Sequence, residues 1–489
     1  MLKKSNLLIS NIIKNFKKNP NKKIIFDNKR SLTYSELIYS ALATSKKIKK
    51  FSSEYIPIII DRNVDSVIAI LAVLFSKKTF CPISHKFPID RIKNFLKILK
   101  TNHIVNCSKK KFNVHNEHKV IFKFKETKLD FDLKNSDDTF YLLFTSGTTG
   151  DPKGVKLSFN NIYNTLKWSR NYLNWNNHKI GIATEFSFDI SMFDLFSGLY
   201  FNVPMYIFQN PSNPILSLGE IKKNKITSIF SVPTFFSNFV RYNLISKNFF
   251  ALKRIISGGD FFLNKDILSW KVNQPKVEIF NVWGPTETSI VNTMYKVSKK
   301  DLKNLADGKS IPVGRSHKLM EVKILRNKKE VKNGLEGEIC MIGKCVSLGY
   351  LGSNKNSKNY FKHNRRNAYL TGDLGYLDRK KNLHILGRKD NTIKISGYRV
   401  DTLEVENLVN TNFNFNNSCL IKLTIMDINI LCLAIETNKL IKTENIINFL
   451  KNKIPAYALP KKIIIFKKFP LNQNSKVDRN KIKLYINGK

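Results

Sequence analysis

The sequence predicts an α/β protein with a large N-terminal domain of mixed sheets flanked by helices and a small C-terminal α+β domain. The chain has 489 residues, of which 42% are hydrophobic, so it can bury a large core and form more than one domain. Strand-like and helical segments alternate from residue 158 to residue 290, which is typical of helices packed on a largely parallel sheet. Beyond residue 390, two strand-like segments precede a helix, which indicates the smaller domain.

The N-terminal segment predicts an ordinary first helix. Residues 1–20 are basic, but polar residues interrupt their apolar positions, unlike the continuous apolar stretch of a secretory signal. The longest apolar run, Val67–Phe75, is a buried helix or strand and is too short to span a bilayer. The sequence therefore predicts a cytoplasmic protein with no membrane span.

Capping residues mark two helix starts. Leu32–Leu37 begins an amphipathic segment, for which Thr33 or Ser35 is a suitable N-cap. Ser158 stands before a second helical segment and predicts its first turn.

The chain is strongly basic, with a formal net charge of +46. Lysine is spread over the whole sequence without a basic block, so we do not predict specific nucleic-acid binding, although acidic partners would be favoured. The six cysteines form no CxxC pair and have no histidine at metal-ligand spacing. Free buried thiols are the expected state.

Residues 145–153 form a loop rich in glycine and hydroxyl groups, directly after the apolar strand-like run Phe140–Phe144. Its donors are Thr145, Ser146, Thr148, Thr149 and Lys153, and its glycines are Gly147 and Gly150. Such a loop suits a multiply charged oxyanion such as a triphosphate. It is not a Walker A loop, because Asp-Pro-Lys-Gly follows Gly150. A polar hairpin or linker is the alternative.

Asp189 lies among apolar residues in the segment 185–194. If this aspartate is buried, it needs a cationic or hydrogen-bonding partner. It either caps the helix that follows or presents a carboxylate to a ligand in a cleft.

Residues 227–234 and 254–260 are interpreted as strand ends followed by turns, and the segment 280–287 follows about twenty residues later. In open α/β sheets, ligands bind at the carboxyl ends of the strands. The last segment contains Glu287, a hard-oxygen ligand suited to Mg²⁺, and Trp283, whose ring can stack on an adenine.

Residues 337–343 and 348–351 indicate a β-meander with glycine turns. Asp373 then follows a strand on a glycine-rich turn, where a carboxylate can accept hydrogen bonds from ribose hydroxyls. Arg388 would supply a second contact to ribose or phosphate.

The small domain is predicted from a strand pair, Cys419–Thr424 and Ile428–Glu436, and a helix over Thr443–Lys453. Near its end, Lys476 precedes Val-Asp-Arg. On composition alone, a lysine in such a basic chain would be a solvated surface residue.

In this order, the motifs resemble those of the adenylate-forming (AMP-binding) enzyme superfamily, which includes acyl-CoA synthetases, luciferases and the adenylation domains of non-ribosomal peptide synthetases. The resemblance extends from Leu32 to Arg479. It implies the adenylate-forming enzyme fold, with a large adenylation domain at 1–389 and a small mobile domain at 390–489. Asp390 would be the hinge between them.

Two positions depart from the pattern of the superfamily. Trp283 stands where tyrosine is usual, and either ring can stack on adenine. Ser475 stands where glycine is usual, and if that position needs a positive φ, the loop beside Lys476 is strained by about 1 kcal/mol or more.

The resemblance also implies a role for each site residue. Lys476 and Glu287 are the catalytic residues, Glu287 being the Mg²⁺ ligand, and Gly397 lies in the segment that acts in thioester formation. The ATP- and AMP-binding residues are those of the loop, Thr145, Ser146, Gly147, Thr148, Thr149, Gly150 and Lys153, together with Gly258, Gly259, Asp260, Asn281, Trp283, Gly284, Thr286, Asp373 and Arg388. The substrate-binding residues are Asp189, Phe193, Phe230, Ile256, Gly258, Val282 and Ile290.

The implied reaction is ATP-dependent activation of an amino acid to aminoacyl-AMP with release of pyrophosphate. Transfer to the phosphopantetheine thiol of a separate carrier protein would follow, as in D-alanine–carrier protein ligases and free-standing adenylation domains. Asp189 would bind the substrate ammonium, and Phe193 and Phe230 imply a small apolar side chain. ATP and Mg²⁺ are the expected cofactors. An acyl- or aryl-CoA ligase and a catalytically degenerate basic binding module are the alternatives.

Overall fold

The structure, a computed structural model, describes residues 6–112, 116–120, 129, 131–145, 152–245, 251–307, 309–352, 358–389, 392–413, 415, 417–439, 441–470 and 477–487. Its residues cluster into two compact units. Unit 1 comprises residues 1–85, 98–143 and 154–387, and unit 2 comprises residues 86–97, 144–153 and 388–489. The sequence did not predict that residues 86–97 would group with the C-terminal residues, and the predicted domain boundary at 389–390 stays a prediction.

The helices of the described residues are α1 (Leu7–Lys18), α2 (Tyr34–Ile48), α3 (Val64–Phe75), α4 (Ile89–Leu99), α5 (Phe159–Ser169), α6 (Asp189–Phe201), α7 (Pro214–Asn224), α8 (Pro233–Arg241), α9 (Asn264–Asn273), α10 (Asp301–Ala306), α11 (Thr402–Phe413), α12 (Thr443–Lys451) and α13 (Arg479–Asn487). The strands are β1 (Lys23–Phe26), β2 (Ser31–Thr33), β3 (Tyr55–Ile60), β4 (Thr79–Ser84), β5 (Ile104–Asn106), β6 (Glu117–His118), β7 (Thr139–Thr145), β8 (Lys153–Ser158), β9 (Ile180–Ile182), β10 (Met205–Ile207), β11 (Ser228–Ser231), β12 (Arg254–Ser257), β13 (Glu278–Trp283), β14 (Thr293–Lys296), β15 (Arg315–Ser316), β16 (Met320–Arg326), β17 (Lys329–Glu330), β18 (Gly337–Gly343), β19 (Tyr360–His363), β20 (Arg366–Leu377), β21 (Leu383–Arg388), β22 (Thr392–Ile395), β23 (Tyr398–Asp401), β24 (Asn417–Ile425), β25 (Ile428–Glu436) and β26 (Lys462–Phe466).

Local capping chemistry begins α2 and α5 where the sequence predicts. The Thr33 hydroxyl accepts from the backbone N–H of Glu36, whose carboxylate accepts from the backbone of Thr33. Ser158 and Asn161 form the same reciprocal arrangement at α5. Each box satisfies two backbone donors that the first helical turn would leave unpaired.

Three sheets organise unit 1. The first has the strand order β15-β14-β13-β12-β11-β9-β10-β1-β2, and its central strands, from β13 to β1, are parallel. The second has the order β6-β5-β3-β4-β7-β8, with β6 to β7 parallel, and the third is antiparallel around β18 and β20. Every residue of helix α3 except Asp65 is buried, as its apolar run Val67–Phe75 requires. In unit 2, β24, β25 and β26 form one sheet and β22 and β23 form a hairpin.

One part of the predicted meander is wrong. Residues 337–343 form β18 in the antiparallel sheet, but residues 348–351 pair with β8 instead. Tyr350 forms an isolated bridge with Val155, and the N–H of Leu348 donates to the carbonyl of Lys156 at 2.8 Å. This pairing joins segments far apart in sequence, so no local pattern could indicate it.

All six cysteines are buried. Burial raises the pKa of the thiols of Cys340, Cys345 and Cys419 to about 12 and that of Cys432 to about 11. Among the residues that the structure describes, no helix is long and apolar enough to cross a membrane.

Candidate active site

The carboxyl ends of the parallel strands β9, β11, β12 and β13 lie side by side at one edge of the first sheet. Phe230 on β11 is in register with Ile256 on β12, and Phe193 of α6 meets the Phe230 ring edge-on at a centroid distance of 5.5 Å. The apolar side chains predicted to line the substrate pocket all belong to one buried cluster, namely Phe193, Phe230, Ile256, Val282 and Ile290. The structure therefore brings the predicted apolar pocket residues together.

Residue 258 has to be a glycine, because neighbouring residues lie close to its backbone at this edge of the sheet. A Cβ atom at residue 258 would lie 2.8 Å from Cγ2 and 2.9 Å from the carbonyl oxygen of Val282, and 3.5 Å from Cε2 of Phe230. The next residue, Gly259, has a φ of 89°, which favours glycine. Asp260 then accepts from the backbone N–H of Phe261 through its own carboxylate at 2.9 Å.

Asp189 is the first residue of α6 and is 7% exposed. Phe188 holds the N-cap position and no side chain caps this helix, so the alternative of a capping aspartate is wrong. Instead, the carboxylate accepts a hydrogen bond of 2.7 Å from the hydroxyl of Thr286. The Tyr141 hydroxyl is buried without a hydrogen-bond partner among the described residues, and burial, with the Asp189 charge, raises the pKa of this phenol.

Trp283 and Asp373 form a second polar pair. The indole N–H of the 6% exposed Trp283 donates to Oδ2 of Asp373 at 3.0 Å. Asp373 lies within the long strand β20, next to Gly372 with a φ of 72°, so the prediction of a turn after a strand is wrong. The irregular register of β18 against β20 at this point resembles a bulge, which redirects side chains without ending the strand. Asn281, also predicted to bind nucleotide, donates to the Pro312 carbonyl at 3.0 Å.

Glu287 lies in a short 3₁₀ turn, Thr286–Thr288, and is 2% exposed. Its Oε1 accepts a hydrogen bond of 2.9 Å from the hydroxyl of Tyr350, which lies 3.3 Å from the hydroxyl of Tyr369. Burial and the Glu287 charge raise the pKa of Tyr350, so this phenol stays protonated and remains a donor. No local pattern in the sequence indicates this role of Tyr350, because its contact with Glu287 joins residues 63 positions apart.

Several predicted residues belong to unit 2. Thr145 ends β7 and Lys153 begins β8, and the Thr145 hydroxyl lies 3.5 Å from the Lys153 carbonyl oxygen. Arg388 is the last residue of β21. Gly397, with a φ of 82°, turns the β22–β23 hairpin together with Ser396, with a φ of 47°. The predicted residues Ser146, Gly147, Thr148, Thr149, Gly150, Asp390 and Lys476 lie outside the described residues, as does Ser475.

Residues 13–351 match a family described as AMP-binding enzyme. The chain is 28% identical to the D-alanine–D-alanyl carrier protein ligase of Bacillus licheniformis, over 97% of this chain and 99% of that protein. It is 29% identical to gramicidin S synthase 1 of Brevibacillus brevis over 95% of this chain, but covers only 43% of that protein.

Two solved structures share the fold at low identity. The Vibrio cholerae adenylation domain AlmE in complex with glycyl-adenosine-5'-phosphate superposes with a TM-score of 0.87 at 19% identity, covering 99% of this chain and 98% of that one. The o-succinylbenzoate CoA synthetase of Bacillus subtilis gives a TM-score of 0.84 at 18% identity, covering 97% of this chain and 98% of that one. These similarities confirm the predicted fold class.

Proposed function

Because the chain belongs to the AMP-binding enzyme family and is an adenylate-forming ligase, we propose that its substrate is an amino acid. The enzyme would activate this amino acid with ATP to an aminoacyl-adenylate and pass it to the phosphopantetheine thiol of a separate carrier protein. Similarity to a D-alanine–D-alanyl carrier protein ligase over nearly the full length of both chains supports the choice of acceptor.

The observation that carries the proposal is the buried carboxylate of Asp189 beside an apolar cluster. A carboxylate so placed is stabilised by a cation that enters with the ligand, and the α-ammonium of an amino acid is such a cation. The hydrogen bond from Thr286 fixes one carboxylate oxygen and so orients the group. A carboxylic acid without an amino group would bring no cation to Asp189.

The aromatic walls of the proposed pocket would limit the size of the substrate's side chain. Phe193 and Phe230 are packed edge to face, and Val282 touches the place where a Cβ on Gly258 would lie. Walls packed in this way would suit a substrate with a small side chain, such as the methyl group of alanine. The glycyl-adenosine-5'-phosphate bound by the similar AlmE domain agrees with a small substrate.

The nucleotide would lie beside Trp283 and Asp373. The Trp283 indole holds one oxygen of Asp373 at 3.0 Å and thereby orients the carboxylate for ribose hydroxyls. Asp260, Gly259 and Arg388 are proposed to complete the adenosine site. The loop from Thr145 to Lys153 would hold the phosphates through backbone N–H groups, hydroxyls and one cation.

The chemistry requires positioning and charge stabilisation rather than covalent work by the protein. One carboxylate oxygen of the amino acid attacks the α-phosphorus of ATP, the bond from this phosphorus to the bridging oxygen breaks, and pyrophosphate leaves. Lys476 would neutralise charge between the two reacting groups. Glu287 would hold Mg²⁺, which supplies positive charge to the phosphates. A single buried carboxylate fits this ion, because Mg²⁺ usually takes its other ligands from phosphate and water.

The second half-reaction would use the small domain. Rotation about Asp390 would withdraw Lys476 and bring the Gly397 hairpin to the adenylate. The carrier thiol then attacks the acyl carbon and AMP leaves. Residues Ser396 and Gly397 both have positive φ, as a tight two-residue hairpin turn requires.

The test is ATP–pyrophosphate exchange across the twenty amino acids, D-alanine and a set of aryl acids. We expect exchange with one small amino acid and a fall of roughly 100-fold or more in kcat/KM for Asp189→Asn, because the substrate ammonium loses its charged partner. Lys476→Ala should abolish exchange. The exposed residues Asp307 and Lys483 provide matched controls, Asp307→Asn and Lys483→Ala, which should exchange as the wild type does.

The alternatives give different results in the same assay. Exchange only with acids that lack an amino group would identify a CoA ligase and overturn the amino-acid proposal. ATP binding without exchange for any acid would point to a basic binding module.

A further inference from the structure

Two consecutive residues of the site have left-handed backbone conformations. Ser289 has a φ of 71° and Ile290 a φ of 72°. Ile290 is β-branched, and this conformation brings its Cβ against its own backbone, which strains the chain. Such strain persists only where surrounding contacts over-determine it, and Ile290 is one of the proposed pocket walls.

The loop around this turn leaves little freedom to relax. A Cβ on Gly284 would lie only 2.5 Å from the Ile290 carbonyl oxygen, so the chain passes itself very closely here. The N–H of Asn292 donates to the carbonyl of Trp283 at 2.9 Å, and the Asn292 amide donates to the carbonyl of Thr288 at 2.7 Å. The ends of the loop are therefore fixed, while Thr286 and Glu287 project from its middle.

The turn itself is held from outside by Thr165 of α5. Its hydroxyl oxygen lies 3.1 Å from the Ser289 carbonyl oxygen and 3.2 Å from the Ser289 hydroxyl, and Thr165 is 1% exposed. The same oxygen lies 3.2 Å from the carbonyl of Asn161, one turn earlier in the helix. Thr165 thus joins a rigid helix to the strained turn.

Two buried side chains, those of His317 and Cys345, lead to the Thr165 hydroxyl. The N–H of Leu319 donates to Nδ1 of His317 at 3.3 Å, and burial lowers the pKa of His317 to about 4, so the neutral imidazole carries its proton on Nε2. This Nε2 lies 3.4 Å from Sγ of Cys345, which in turn lies 3.7 Å from the Thr165 hydroxyl. These contacts define the position of the Thr165 hydroxyl.

We propose that Thr165 is a positioning residue for the site: its hydroxyl stabilises the left-handed Ser289–Ile290 turn and thereby places the Ile290 wall and the Glu287 carboxylate. The contribution to catalysis rests on the proposed function, whereas the stabilisation of the turn does not. Thr165 touches neither substrate nor nucleotide in this proposal and acts through the turn.

The first test needs no ligand and uses the full chain in a double-mutant cycle. Thr165→Val should lower the midpoint of thermal unfolding by several degrees, because it removes the hydroxyl at nearly constant volume. In a Ser289→Gly background the same substitution should cost less, because glycine lacks the hydroxyl oxygen that lies 3.2 Å from the Thr165 hydroxyl. Equal losses in both backgrounds would overturn the proposal.

Thr44 is the matched control, since this buried threonine of α2 makes the same one-turn bond, to the Ser40 carbonyl at 2.9 Å, and lies on a different helix from Thr165. Thr44→Val should lower the midpoint by the same amount with and without Ser289→Gly. Thr165→Ser should retain most of the wild-type stability, because it keeps the hydroxyl.

The second test separates positioning from general stability. For Thr165→Val we expect roughly tenfold increases in the KM for the amino acid and in the Mg²⁺ concentration that half-saturates exchange, with the KM for ATP within twofold of wild type. Thr165→Ser should restore both values. A uniform loss of active enzyme with unchanged constants would overturn the positioning role, and an absence of exchange in the wild type would reject the proposed function while leaving the cycle to decide the turn.

Discussion

The two aspartates of α6 have opposite surroundings. Asp189 accepts a hydrogen bond from Thr286, whereas Asp194, 1% exposed, has a carboxylate oxygen with no hydrogen-bond partner among the described residues. Burial raises the pKa of Asp194 well above its usual value. The folded protein therefore binds a proton at Asp194 that the unfolded chain has released, in the pH range from the usual aspartate pKa up to the folded value. Stability falls as pH rises through that range.

From this sign we expect Asp194→Asn to stabilise the protein at pH 7.5 by roughly 1–3 kcal/mol, because it replaces a buried acid with a neutral group of the same shape. The gain should shrink toward pH 4, where the carboxyl of the unfolded chain also begins to bind its proton. Urea unfolding at the two pH values measures the difference, with the exposed Asp307→Asn as control. A gain that does not depend on pH would contradict the raised pKa.

At the scale of elements, strands β12 and β13 approach each other closely at the proposed pocket. No side chain fits at residue 258, directly after β12. The Val282 carbonyl on β13 lies too close, and because it is part of the backbone it cannot move alone. Gly258→Ala should therefore destabilise the protein by about 1–3 kcal/mol and raise the KM for the amino acid more than that for ATP. Thermal unfolding and exchange kinetics measure the two effects.

Gly219, inside α7, is the matched control, since a Cβ there meets no atom within 4 Å. Gly219→Ala should stabilise the protein by about 0.5–1 kcal/mol, because alanine is the better helix former. If both alanine variants changed stability in the same direction, the packing argument at Gly258 would be wrong.

The sequence could predict features that depend on neighbouring residues, but not contacts between residues far apart in the chain. The caps at Thr33 and Ser158 depend on residues three positions away, and both are confirmed. The Asp373 turn was predicted from local glycines, yet residues 366–377 form one strand because β18 and β19 pair with it. The Tyr350–Glu287 and Thr165–Ser289 contacts join residues more than sixty positions apart, so they required the fold.

At the scale of the whole molecule, the formal net charge is +46, and a charge of this size attracts acidic partners over a long range. Long-range attraction of this kind accelerates the encounter with an acidic partner and is screened within about 10 Å at 0.1 M salt. In the proposed reaction, adenylation would involve small substrates held in the site, whereas the transfer step would require a second macromolecule. The two half-reactions should therefore respond differently to salt.

We expect the KM for an acidic carrier protein to rise at least about tenfold between 50 and 300 mM NaCl, with amino-acid-dependent exchange changing less than about threefold. Carrier loading measured with labelled amino acid gives the first value and pyrophosphate exchange the second. Replacing NaCl by sucrose of equal osmolality controls for effects that are not electrostatic. A carrier KM that is independent of salt would exclude electrostatic attraction as the basis of recognition.

Because all six cysteines are buried, the native protein should react very little with thiol reagents. Maleimides react with exposed thiolates, and buried thiols with a raised pKa present almost none at neutral pH. One cysteine introduced at an exposed position, such as Lys483→Cys, would therefore carry a single fluorophore without removal of the native thiols. Two such positions, one in each unit, would allow the proposed rotation about Asp390 to be tested by energy transfer in an otherwise unaltered protein.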